Sequence, residues 1–361
     1  MRTVDLKIED IAFGGKGVGR ADGKAIFVPF TIDGEIVSAK IVREKKQFGE
    51  AELVEVKETS AHRINAECPY FGSCGGCAYQ HIDYQHQLAI KTGQVRNVLR
   101  RIGKITNPPV RAMIPSPATY AYRNRITVHA RDGIIGYFRR ESRDLIDVET
   151  CPIAMPEVNR QLRELREQHP RDGHYTLRAR SGPRVFTQTN NGVAEALRNS
   201  IIELVPPNQD LLIDAFCGAG FFAKALLGNF ERIIGIDWDR FAIEVARRDA
   251  IEKERYIAGD VEEELSLVNL TALSGQVSNG PATKTSSVMI VDPPATGLSA
   301  KVRKSIVELA PSTLIYVSCN PATLARDLAD LGSIFEMMSV IPLDMFPQTA
   351  EIEVVVHLRR L

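Results

Sequence analysis

The sequence predicts a multidomain chain: a small N-terminal β-barrel, a central α+β region, and a C-terminal α/β domain on an open parallel sheet. Three observations lead there. At 361 residues the chain exceeds what one compact core usually organises. Its first sixty residues hold several short stretches that alternate apolar and polar at period two. From Leu211 onward, apolar strand-like runs alternate with helical ones. The composition, 44% hydrophobic and 25% charged, is that of an ordinary globular protein. No run approaches eighteen apolar residues, so no membrane span is expected. The N-terminus, Met1 to Leu6, has no apolar signal region. A cytoplasmic monomer is expected, in a compartment where cysteines serve as ligands or nucleophiles rather than in disulfides.

Residues 1–60 read as the barrel. Val4–Ile8 alternates, Gly14–Arg20 reads as a flexible basic loop, and Ala25–Phe30 and Glu35–Val42 are strands divided by Asp33-Gly34. No helical pattern follows the glycines, so a phosphate-binding P-loop is a poor match. Residues 61–185 form the central region, with a cysteine-bearing loop stretch, a helix from about Tyr84 to Arg101, strands at Arg125–Ala130 and Ile134–Phe138, and a helix near Glu157–Gln168. Residues 186–361 form the last domain. Leu211–Ala215, Arg232–Asp237, Val288–Asp292 and Thr313–Val317 are strands, with helices beginning at Phe222 and Arg240. A polar stretch at about 266–287 reads as a mobile insertion.

Charge is unevenly spread. The formal net charge is zero, yet Lys91–Arg184 carries nineteen Lys and Arg against nine Asp and Glu. Such asymmetry points to a polyanionic partner. Cys68, Cys74 and Cys77 lie within ten residues, and Cys151 could complete a set of four thiolates for zinc or an iron–sulfur cluster. Their spacing is not that of a zinc ribbon. Asp214–Ala223 reads as strand, glycine turn and helix start. Its Gly218-x-Gly220 pattern serves NAD and S-adenosylmethionine alike, with Asp237 ending the next strand where a carboxylate could grip ribose hydroxyls. Asp292-Pro293-Pro294 favours the methyl donor: two prolines after a strand's last carboxylate stiffen the loop over the cofactor. Cys319, at the end of Ile315–Ser318 and before Asn320-Pro321, sits where α/β sheets place their chemistry. Taken alone it could equally be an inert core cysteine.

Together these segments resemble the 5-methyluridine RNA methyltransferases over nearly the whole chain. Phe13–Arg20 and Phe27–Pro29 resemble a TRAM domain, an OB-like RNA-binding barrel, and Cys68–His81 resembles the family's four-iron cluster segment, with Cys151 where its fourth ligand falls. Tyr122–Arg125 resembles the start of the central domain, and Phe186–Asn190 the element before a Rossmann-like methyltransferase domain. The resemblance implies Gln188, Phe216, Gly218, Gly220, Asp237 and Asp292 as contacts to S-adenosylmethionine. It implies Cys319 as nucleophile, Glu353 as proton acceptor, and Cys68, Cys74, Cys77 and Cys151 as ligands of a [4Fe-4S] cluster. Two positions depart from the family pattern: Ala295 stands where the Asp-Pro-Pro motif usually continues with arginine, and Glu351 replaces a frequent histidine.

The chemistry that this implies needs few groups. Carbon 5 of uracil is a weak nucleophile; a thiolate added at carbon 6 makes an enolate whose charge reaches carbon 5, and a base then removes the carbon 5 proton. Glu351 and Glu353 lie two residues apart in a strand-like run, so periodicity does not choose between them. The expected partner is RNA with its target base flipped out, with 23S rRNA favoured and tRNA the alternative. A non-catalytic RNA-binding protein with a methyltransferase fold is the rival from another class.

Overall fold

The structure is a computed structural model that describes residues 2–179, 188–268 and 286–361. The insertion expected over about 266–287 lies almost wholly outside the described residues, as do Phe186 and Thr187.

In the N-terminal unit, β1 (Thr3–Lys7), β2 (Asp10–Ile11), β3 (Lys16–Ala21), β4 (Lys24–Pro29), β5 (Ile36–Glu44) and β6 (Phe48–Glu58) form one sheet in the order β1-β5-β6-β4-β3-β2. The first stretch of chain pairs with β5 through β1 and with β3 through β2, so its bend brings the sheet's two ends together. Lys16–Ala21 is therefore strand, not the flexible loop its glycines suggest. The glycines serve close packing. A Cβ at Gly17 would lie 2.0 Å from Thr31 Oγ1, and one at Gly19 would lie 2.8 Å from the Lys7 carbonyl.

The helix α1 (Tyr84–Arg101) starts on Asp83, whose side chain accepts the His86 N–H. Beyond it, β7 (Arg125–Arg131), β8 (Ile134–Phe138), β9 (Leu145–Asp147) and β10 (Gly173–Arg178) form an antiparallel sheet in the order β10-β7-β8-β9. On it lies α2 (Pro156–Glu167), which buries Val158, Leu162 and Leu165 against Ile126, Val128 and Ile135.

The C-terminal unit contains α3 (Asn191–Leu204), β11 (Gln209–Ala215), α4 (Phe221–Ala225), β12 (Phe230–Asp237), α5 (Arg240–Arg248), β13 (Glu254–Ala258) and α6 (Val261–Leu267). There follow β14 (Ser287–Val291), α7 (Ala300–Leu309), β15 (Thr313–Ser318), α8 (Pro321–Leu331), β16 (Phe335–Leu343) and β17 (Glu353–Arg360). The sheet order is β13-β12-β11-β14-β15-β17-β16, parallel through β15, with β17 antiparallel to both β15 and β16. Side-chain alternation divides its two faces. Leu211, Ile213, Met289, Leu314 and Val356 pack with α6, α7 and α8. Leu212, Val288, Ile290, Ile315 and Val355 pack with α3, α4 and α5. The helix α1, within the sequence range expected for the central region, buries Val95, Val98 and Leu99 in the first of these cores. Strand order reverses between β11 and β14, which opens a crevice at their carboxyl ends.

Candidate active site

The site begins with a consequence of topology. Because β17 runs against β15, its first residues meet the last residues of β15, and Ser318 pairs with Val354. The next rung brings Cys319 and Glu353 to the same end of the sheet. Asn320 turns the chain into α8: its side chain accepts the Ala322 N–H at 3.0 Å, and Pro321 occupies the first helical turn. Cys319 is partly exposed, while Glu353 is only 3% exposed. Burial pushes the Cys319 thiol up to about 12, and the neighbouring carboxyls of Glu353 and Asp292 add to the effect. Burial likewise raises Glu353 well above the usual carboxyl range, with Asp292 and then Glu351 contributing. A thiol and a carboxyl, both held above their ordinary values by burial, thus share the joined strand ends. Glu351 differs: it is exposed, lies before the strand begins, and is met by Arg123 Nη2 at 3.3 Å. Burial separates the two glutamates that strand periodicity leaves equivalent.

Beside this pair, a cavity of about 550 Å³ is lined by Gln188, Phe216, Gly218, Gly220 and Asp292. The chain turns sharply here, with left-handed φ angles of 66° at Phe216, 53° at Gly218 and 83° at Gly220. Only Phe216 carries a side chain in that conformation, at a cost of about 1–3 kcal/mol. Asp237 is not among the lining residues but reaches their rim, because its Oδ2 accepts the Gly218 N–H at 2.8 Å and its Oδ1 the Asp239 N–H at 2.8 Å. Asp292 is raised to about 7 by burial and by the charge of Asp237. Asp214 below it is raised to about 8, again chiefly by burial. Of these carboxyls, Asp237 and Asp292 border the glycine turn and suit a cation, whereas buried Asp214 keeps its proton at neutral pH.

Several lining residues escape sequence reasoning. Asn191 and Arg198 on α3, and Phe221 and Lys224 on α4, border the same cavity. Asn191 owes its place to Asn124, whose Nδ2 donates to Asn191 Oδ1 at 2.7 Å and to the Gln188 carbonyl at 2.8 Å. The only sequence signal for them is their position on helices that enter the crevice: Asn191, Phe221 and Lys224 on first turns, Arg198 two turns into α3.

The other four predicted residues also converge. Cys68, Cys74, Cys77 and Cys151 line a second cavity of about 390 Å³, together with Tyr137, Arg123 and Thr189. The cysteine loop is fastened to the central sheet: the Gly75 N–H donates to the Phe138 carbonyl, and the Arg140 N–H to the Ser73 carbonyl, both at 3.1 Å. Among the described residues, no three His, Cys, Asp or Glu side chains form a group that could hold a metal ion. The donor set is four thiols around a space larger than one ion. Burial raises Cys77 to about 12, so thiolates here require a compensating positive charge. Two buried donors, Arg123 Nε and Arg140 Nε, find no partner among the described residues; Arg123 lines this cavity, and Arg140 Nη2 donates to the Cys77 carbonyl at 2.8 Å. The unpaired Arg123 N–H beside four sulfurs fits an anionic, sulfur-rich group.

Known proteins resemble the chain in sequence and in fold. The sequence profile described as tRNA (Uracil-5-)-methyltransferase matches residues 171–361, and that of the TRAM domain matches residues 1–54. An uncharacterized RNA methyltransferase of Protochlamydia amoebophila is 30% identical, over 99% of this chain and 98% of its own length. Another from Aquifex aeolicus is also 30% identical, over 98% and 97%. Among solved structures, the Pyrococcus abyssi tRNA (uracil-54, C5)-methyltransferase in complex with S-adenosyl-L-homocysteine superposes with a TM-score of 0.72. It covers 98% of this chain and 99% of its own at 23% identity, a likeness of fold.

Proposed function

Because the chain belongs to the tRNA (uracil-5-)-methyltransferase family, we propose that it methylates carbon 5 of a uridine in RNA, with Cys319 as nucleophile and Glu353 as proton acceptor. The observation that carries this reading is the meeting of Cys319 and Glu353 at the joined ends of β15 and β17, beside the cavity of the glycine turn.

S-adenosylmethionine, when bound in that cavity, supplies a methyl group on a positively charged sulfur. Asp292 and Asp237 suit such a cation, and Gln188, Phe216, Gly218 and Gly220 would hold the donor's remaining parts. Cys319 releases its proton to solvent and adds as the thiolate to carbon 6 of the flipped-out uracil, and the electron pair this places at carbon 5 forms the bond to the methyl group. Once carbon 5 carries the methyl group, Glu353 takes its proton, the carbon 5–carbon 6 double bond re-forms, and the Cys319 thiolate departs. A buried carboxyl with a raised pKa is a stronger base than an exposed one, which favours Glu353 over Glu351.

Cys68, Cys74, Cys77 and Cys151 would hold a [4Fe-4S] cluster, and Arg123 would supply positive charge beside it. Such a cluster would supply a cross-link between loops and no redox step. The TRAM domain and the basic central region suit the phosphates of single-stranded RNA, and the resemblance to the family's ribosomal-RNA branch puts 23S rRNA first, with tRNA as the alternative. Mapping 5-methyluridine in rRNA and tRNA of cells with and without the gene tests the reading. Loss of the mark from one 23S rRNA uridine supports it in full. Loss from tRNA alone moves the substrate, and no loss from either contradicts the function.

A further inference from the structure

The loop after Asp292 is held along its backbone by residues of α8 and the turn before it. Pro293 and Pro294 offer no N–H. The Ala295 carbonyl accepts Asn320 Nδ2 at 3.0 Å and Thr323 Oγ1 at 3.1 Å. The Thr296 carbonyl accepts Arg326 Nη2 at 3.0 Å, and the Leu298 N–H donates to Asp327 Oδ2 at 2.7 Å. Gly297, at φ 74°, fits because it lacks a side chain: a Cβ there would lie 2.5 Å from Asp327 Oδ2 and 2.7 Å from Arg326 Nη2.

Asp327 is the common partner. It is fully buried. Its Oδ2 also accepts the Tyr316 hydroxyl at 2.7 Å, and Tyr316 stands three residues before Cys319 on β15. Its Oδ1 accepts Arg303 Nη1 at 3.0 Å, Arg326 Nε at 2.9 Å and Arg326 Nη2 at 2.7 Å. One carboxylate therefore joins the loop that carries Asp292, the strand that delivers Cys319, and the helices α7 and α8. At position 295 the clamp uses only the backbone carbonyl of Ala295.

The geometry points to Asp327 as a positioning residue that fixes the loop of Asp292 relative to Cys319, and so aligns the methyl donor with the attacked base. Alignment is worth this many contacts because reaction requires near-contact geometry, and misplacement of about 1 Å can cost on the order of 100-fold. The inference rests on the function proposed above, and the test keeps the two apart. Wild type, Cys319→Ala and Asp327→Asn are compared for methyl transfer, donor affinity, RNA KM and melting temperature. An inactive wild type on every RNA, or a fully active Cys319→Ala, sinks the function. With that function standing, Asp327→Asn is expected to lose at least about tenfold in kcat while donor affinity and RNA KM change less than about threefold. Gly297→Ala, which pushes the same loop off the clamp but keeps the carboxylate, should reproduce the split if Asp327→Asn does not fold. A kcat within twofold of wild type in a folded variant overturns the inference, as does a loss carried by KM or donor affinity.

Discussion

At the scale of residues, the site is governed by burial of acids and thiols without counter-charge. The raised Cys319 thiol implies that its thiolate is scarce at neutral pH in the protein without substrates. Alkylation of Cys319 should therefore be slow at pH 7 and still rising above pH 9; a plateau near pH 7 would contradict this. Asp214 allows a second test. Its folded value of about 8 lies above the ordinary 3.8, so below about pH 4 neither folded nor unfolded chain pays for ionisation. Between there and about pH 8 the unfolded chain releases a proton that the folded chain keeps, and stability falls as pH rises. Asp214→Asn should consequently raise the melting temperature more at pH 8 than at pH 5, and an equal shift at both would refute the assignment. The sequence shows which residues carry chemistry, because cysteines, Asp-Pro-Pro and the glycine turn are local patterns. It does not show that Glu353 is buried and Glu351 is not, since that depends on where β17 begins beside β15.

At the scale of elements, strands and helices of the catalytic domain are legible because buried parallel strands are continuous apolar runs. The insertion of β17 between β15 and β16 is not legible, as periodicity carries no strand order. Nor is the packing of α1 on the catalytic core, or the role of Asp327, because an aspartate within a helix reads as a surface residue. The helix α1 makes its own prediction. Lys91 Nζ lies 2.6 Å from Asp344 Oδ1 with both side chains fully buried, and it also donates to the Phe346 carbonyl at 3.0 Å. Lys91→Met would leave a buried carboxylate unpaired and should cost about 3–5 kcal/mol in chemical denaturation. The double variant Lys91→Met/Asp344→Leu should recover most of that loss; failure to recover would show that the pair is not the cause.

At the scale of the whole molecule, one strap connects the units. Residues 344–351 lead into Glu353 and are gripped from three sides. The Gln348 carbonyl accepts the N–H groups of Ala78 and Tyr79, each at 2.9 Å; Gln87 Nε2 of α1 reaches Gln348 Oε1 at 3.0 Å; and the Tyr122 hydroxyl donates to the Pro347 carbonyl at 2.9 Å. Ala78 follows Cys77 directly, and Tyr122 takes the Ile153 carbonyl beside the Cys151 loop. The proposed cluster would thus brace the segment that presents the base. Cys77→Ser should lower bound iron from roughly four per chain and reduce methyl transfer at least about tenfold, although Cys319 is untouched. Full activity with no iron bound would separate the cysteine cavity from catalysis.

The central claim, a covalent path through Cys319 completed by Glu353, is tested most directly by intact-mass analysis of Glu353→Gln after incubation with RNA and S-adenosylmethionine. The account predicts an accumulated protein–RNA adduct at Cys319 whose uracil already carries the methyl group, and no adduct in Cys319→Ala/Glu353→Gln. Turnover of Glu353→Gln at the wild-type rate, or an adduct at any other residue, would contradict it.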